Sequence, residues 1–235
     1  MADMVMHDHA PGRPLPWRLL LSLAALALLS LWAASVIQDV LLHRRGAGAE
    51  GKIWLLDADS EQGILTWASV LILFLVARLL LAHGQHALAS GRRPAATWFG
   101  LSALFLLLSL DEFASLHEKA SALLQGRGFG GSGIFYFAWA APAGLLALLG
   151  LLALGPFLRS LGPRVLRLAV LSALLYLLGA VGTEMLGGFL AERGGIGSFA
   201  YRLGANAEEA LELSGLLLFV YALILHREAL QGPSV

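Results

Sequence analysis

Runs of about twenty apolar residues recur from one end of the chain to the other, each long enough to cross a hydrocarbon layer roughly 30 Å thick. They predict an all-α polytopic bundle of six transmembrane helices, near 17–42, 63–89, 95–124, 134–157, 164–191 and 201–227. Composition agrees: the 235 residues are 58% hydrophobic and 14% charged, where soluble domains are about a quarter charged. Arg92-Arg93-Pro94 opens the third span, Gly126–Gly133 (GRGFGGSG) reads as a flexible connector, and Leu161-Gly162-Pro163 precedes the fifth. Everything folds as one membrane domain, with residues 1–14 a disordered tail. The net charge of zero points to no nucleic-acid partner, and the absence of cysteine excludes disulfides and thiolate chemistry.

Six spans put both termini on one side. Arg13, Arg18, Arg78, Arg92, Arg93, Arg159, Arg164, Arg167 and Arg227 fall there, nine basic residues against seven opposite. Lys and Arg counts set orientation, so both termini are expected in the cytoplasm, with the chain in a bacterial inner (plasma) membrane. The first span can also be read as a signal peptide, Arg13 and Arg18 forming its basic start and Ala33-Ala34 lying near a cleavage site. The apolar run from Leu19 to Ile37 is long for that role.

Thirteen of the sixteen acids lie toward the opposite side, and helix rise gives their depth. At about 1.5 Å per residue, Asp111 lies roughly 27 Å beyond Arg93, and Glu184 roughly 26 Å beyond Arg167. Counted back from Arg227, Glu212 lies at roughly 22 Å and Glu208 at roughly 28 Å. Three helices thus deliver carboxylates to one layer of the outer leaflet, and Gln38, Asp39 and His43 of the first span stand just above it. At about 100° per residue, Asp111, Ser115 and Glu118 form one stripe with Glu112 on its flank, while His117 sits further round. Glu208 and Glu212 stand one turn apart with Glu209 beside them. Glu184 is surrounded by Gly179, Gly182, Gly187 and Gly188, and small residues let membrane helices approach closely.

Taken singly, Asp111 and Glu112 could mark a helix that leaves the membrane early, and Glu208 and Glu209 could be first-turn acids favoured by the helix dipole. Their common depth argues otherwise. A carboxylate at the centre of a membrane helix costs about 2.5–3.5 kcal/mol, so a cluster calls for a cation, for protons, or for Arg202 and Lys119 at its rim. A metal is the favoured answer. Its expected ligands are Asp111, His117, Glu118, Glu184, Glu208 and Glu212, supported by Glu112, Ser115, Glu209 and His43. Carboxylates with one or two imidazoles suit iron or manganese, ahead of zinc, calcium or magnesium. The inventory approaches that of carboxylate-bridged dimetal bundles, but the Glu-x-x-His pairs of those sites are missing.

Three functions follow. The first is a small metal-dependent membrane enzyme acting on a lipid-soluble substrate, with the bilayer its main partner and its catalytic residues and oligomeric state open. The second is a cation- or proton-coupled transporter, although a three-plus-three inverted repeat should not place acids at opposite ends of its third and sixth helices. The third is a non-catalytic membrane subunit or sensor.

Overall fold

The computed structural model describes residues 16–91 and 94–231. The tail 1–14, Arg92 and Arg93, which carried part of the sequence argument, lie outside the described residues. Every regular element among the described residues is helical. In chain order these are α1 (Trp17–Arg44), α2 (Ile64–Ala89), α3 (Ala95–Ala114), α4 (Leu116–Gln125), α5 (Ala140–Ala153), α6 (Gly155–Ser160), α7 (Pro163–Leu177), α8 (Glu184–Gly194) and α9 (Phe199–Gln231). One widened π turn, Leu178–Thr183, joins α7 to α8 without a break. Five helical stretches are long and apolar enough to cross a membrane: Trp17–Arg44, Ile64–Ala89, Ala95–Ala114, Pro163–Gly194 and Phe199–Leu230. The chain is a helical membrane protein.

Two of the expected spans are interrupted. The third stops at Ala114, where Ser115 takes φ 47° and ψ 49°. It is the one positive-φ residue other than glycine among the described residues, and this left-handed conformation is uncommon for a side chain of any size. The chain restarts as α4 on a new axis. The fourth span is covered by the apolar α5, only 14 residues long, and by α6, which restarts at Gly155-Pro156.

The bundle is held by close approach and by hydroxyls. Lipid supplies no hydrophobic drive between helices, so packing falls to small residues and polar contacts. A Cβ added to Gly215 on α9 would come 2.8 Å from Tyr176 N and 2.9 Å from Ser172 O of α7. In return, one added to Gly179 would meet Glu212 Cγ at 2.7 Å. The two helices therefore touch backbone to backbone. Ser172 Oγ seals the seam by donating to Gly215 O at 2.8 Å. Ser102 and Ser109 of α3 donate in the same way to Ala77 O and Val70 O of α2, at 2.8 and 3.0 Å. An apolar core of Val76, Leu80, Ala87, Ala95, Trp98, Val220 and Leu223 fills one half of the molecule.

Replacing Gly215 with Leu should force α7 from α9 and destabilise the protein by about 1–3 kcal/mol, the usual range for overpacking. Gly150→Ala, where a Cβ meets nothing within 4 Å, should leave thermal unfolding in detergent unchanged or slightly raised. Comparing the two melting curves checks the interlock.

Candidate functional site: a carboxylate-lined cavity

Beside a second apolar cluster of Leu28, Ala58, Leu65 and Leu213 lies an acidic cavity. A cavity of about 120 Å³ is lined by nine carboxylates: Asp59, Glu61, Asp111, Glu112, Glu118, Glu184, Glu208, Glu209 and Glu212. His117, Tyr176, Tyr201 and Trp139 complete its polar wall, and neither Lys nor Arg is among its described lining residues. At about 10–15 Å³ per water-sized particle, the space has room for several waters or ions.

Each helix places its acids by a local device. The π turn and its glycines let α7 run against α9 before Glu184 enters the cavity; Thr183 Oγ1 donates to Gly179 O at 2.6 Å, closing a carbonyl in the widened turn. Glu208 and Glu212 stand one turn apart on α9, and Glu209, about 100° round the helix, reaches the cavity from the side of α2. The break at Ser115 turns α4 so that His117 and Glu118 return to the wall that Asp111 and Glu112 began. His117 Nδ1 lies 3.1 Å from Asp111 Oδ2.

Some of the acids are held and others are not. Glu184 Oε1 accepts from Trp139 Nε1 at 2.9 Å, and Glu209 Oε1 from Ser69 Oγ at 3.2 Å. Asp59 Oδ1 accepts from the Tyr201 hydroxyl at 3.2 Å, and Glu61 Oε2 from Ser115 Oγ at 2.8 Å. Among the described residues no hydrogen bond reaches the carboxylates of Glu112, Glu118, Glu208 or Glu212. Burial works against a charged His117. The hydrogen bond and charge of Asp111, with Glu61 and Glu112 behind it, overcome that and raise its pKa from 6.5 to about 9.

The expected ligands Asp111, His117, Glu118, Glu184, Glu208 and Glu212 all line this one cavity, as do the expected supporting residues Glu112 and Glu209. Two supporting residues do not. Ser115 is spent on the helix break and on Glu61, and the His43 ring stacks on Phe199 at 4.0 Å. His117 pairs with Asp111 of the preceding helix and also lies against the Trp139 ring. The expected metal centre is also not formed as drawn: among the described residues no three His, Asp or Glu side chains are gathered so as to hold an ion.

Sequence reasoning missed Asp59, Glu61, Tyr176, Tyr201 and Trp139. The loop acids were legible only as the alternation Asp57, Asp59, Glu61. Expected neutralisation from the rim is absent as well. Arg202 Nε lies 3.4 Å from Asp39 Oδ1, and Lys119 donates to Ala114 O. Asp39 is fully buried in its own network, paired also with Lys52 at 3.2 Å and accepting from Asn206 Nδ2 at 2.8 Å. Lys52 reaches on to Asp57, and Ser35 Oγ accepts from Ala58 N at 3.1 Å. This network fastens the 52–59 segment to α1 and α9, which sets Asp59 over the cavity.

Fold and site together define an all-helical membrane protein with a buried carboxylate chamber. The profile of one family, Domain of unknown function (DUF8692), matches residues 52–226, and the chain belongs to that family. Every lining residue of the chamber falls inside the matched segment. No curated protein and no solved structure matches the chain.

Two outcomes test the chamber. In metal-free protein the folded pKa of His117 lies above its unfolded value, so its pairing stabilises fully below about pH 6.5 and is lost as pH rises through about 9. The melting-temperature deficit of His117→Gln relative to wild type should therefore be largest at pH 6 and vanish above pH 9. Glu212→Gln removes a repelling charge that has no hydrogen-bond partner, so it should raise the melting temperature of the metal-free protein.

Proposed function

We propose that the chamber binds divalent cations and that the protein is a metal-dependent membrane enzyme acting on a lipid-soluble substrate. One observation carries this reading: nine carboxylates and one imidazole face a single cavity with neither Lys nor Arg among its described lining residues. Asp111, His117, Glu118, Glu184, Glu208 and Glu212 supply the ligands, with Glu112 and Glu209 beside them. Binding draws the splayed carboxylates inward onto the ion. Oxygen donors with one nitrogen suit iron or manganese ahead of zinc, calcium or magnesium. A metal in this position activates water or oxygen beside the acyl layer.

The accompanying topology is six crossings with both ends of the chain in the cytoplasm of a bacterial inner membrane. The sixth crossing is α5 with α6. Residues 140–160 run helically with one interruption at Leu154, roughly 31 Å at helical rise. The contact of Trp17 Nε1 with Glu228 Oε1 at 2.7 Å supports placing both ends together.

Elemental analysis of detergent-purified protein, beside Glu184→Gln and Glu112→Gln, tests the site. The expected result is stoichiometric iron or manganese in the wild type, with affinity reduced about tenfold or more in each variant, as for changes at established metal sites. A metal-free wild type that takes up protons on acidification would replace this reading with proton-coupled transport.

A further inference from the structure

A second hollow shares a wall with the acid chamber. Its volume is about 350 Å³, within the range of small-molecule pockets, and its lining is apolar: Leu124, Phe129, Phe135, Ala138, Ala141 and Pro142 line it with Gly130. Leu124 comes from the end of α4 and Ala141 from the start of α5. The loop between them is built. Gln125 Nε2 donates to Tyr136 O at 2.6 Å, Gly133 N to Glu192 Oε2 at 2.8 Å, and Gly131 N to Phe135 O at 2.9 Å. The GRGFGGSG segment read as a flexible connector is thus folded back on itself. Gly130, at φ 75°, is bare because a Cβ there would come 2.6 Å from both Ala138 Cβ and Phe135 O.

The partition between the two hollows is three consecutive residues. Phe137 and Trp139 line the acid chamber, while Ala138 between them lines the apolar hollow. Trp139 also joins the two chemistries. Its indole N–H holds Glu184, its ring lies 5.0 Å from that of His117, and its backbone N–H is held by Ser121 Oγ at 3.2 Å. The hollow opens outward, where Phe129 and Phe135 are 65% and 49% exposed. An apolar lining with an exposed apolar rim suits a hydrocarbon chain.

From this juxtaposition we infer that the apolar hollow binds the hydrocarbon chain of a single-chain amphiphile whose oxygen-bearing head enters the carboxylate chamber past Trp139. The head assignment rests on the proposed cation site, whose ion takes an oxygen ligand. The chain assignment rests on the hollow alone.

Two photoreactive fatty alcohols test the inference in lipid nanodiscs, one with a diazirine at the far end of the chain and one with it beside the hydroxyl. Cross-linked peptides are mapped by mass spectrometry, and cation binding is measured on the same preparations. The far-end probe should label 124–142 at least fivefold above the exposed Leu71, Phe74 and Leu75 of α2. The head-end probe should label 109–119 or 176–184. Ala141→Trp and Leu124→Trp, which fill the hollow from opposite walls, should each cut far-end labelling at least fivefold while leaving cation binding intact. Labelling spread evenly over exposed helix faces, or surviving both variants, would overturn the inference, as would a head-end label on the outer leucines of α5. Site-specific labelling by both probes in a protein that binds no cation would uphold the amphiphile site and remove the metal reading instead.

Discussion

Electrostatic repulsion among carboxylates is the constraint that the rest of the bundle has to meet. Acids from α3, α4, α7–α8, α9 and the 57–61 loop face one small space, in a chain whose other half is packed with Val, Leu and Ala. Among the described residues that line the cavity, His117 is the one basic group. The chamber must therefore be held open and together by contacts made elsewhere. The glycine interlock of α7 with α9, the serine hydroxyls clamping α3 to α2, and the buried Asp39–Lys52–Arg202 network do that from three directions.

That buried network has the opposite character to the chamber. Asp39 has two cationic partners and an amide donor, so its charge is answered inside the protein. The chamber acids are answered sparsely, by a tryptophan N–H here and a serine there. Two groups of acids at one end of the bundle are thus separated by function: one fastens α1 and the 52–59 segment to α9, and the other is left available to what enters.

Much of this was legible in the sequence, because rise per residue is a rigid ruler. Counting along three helices placed Asp111, Glu184, Glu208 and Glu212 at one depth, and helical phase put Glu208 and Glu212 one turn apart with Glu209 beside them. The glycines around Glu184 announced close approach, and Gly179 delivers it. The remainder depends on contacts distant in the chain or on rare backbone states. No Gly or Pro stands near Ser115 to mark a break, so the left-handed turn that redirects His117 leaves no pattern. Asp59 and Glu61 read as solvated loop acids until Lys52, Ala58 and Tyr201 are seen to fix the loop above the cavity. His43 shares the depth of the acids but not their direction.

The π turn between Leu177 and Glu184 has a consequence for how one helix can serve two masters. An α-helix presents a single stripe to a single neighbour, and its phase is fixed along its length. One extra residue in a turn rotates all that follows relative to what came before. Ser172, Tyr176 and Gly179 can therefore be committed to α9, while Gly188 nestles against Tyr136 of the α4–α5 connection, where an added Cβ would lie 2.7 Å from Tyr136 Cβ. Glu184 stands at the change of phase, so the residue facing the chamber is also the one at which this helix trades one partner for the next.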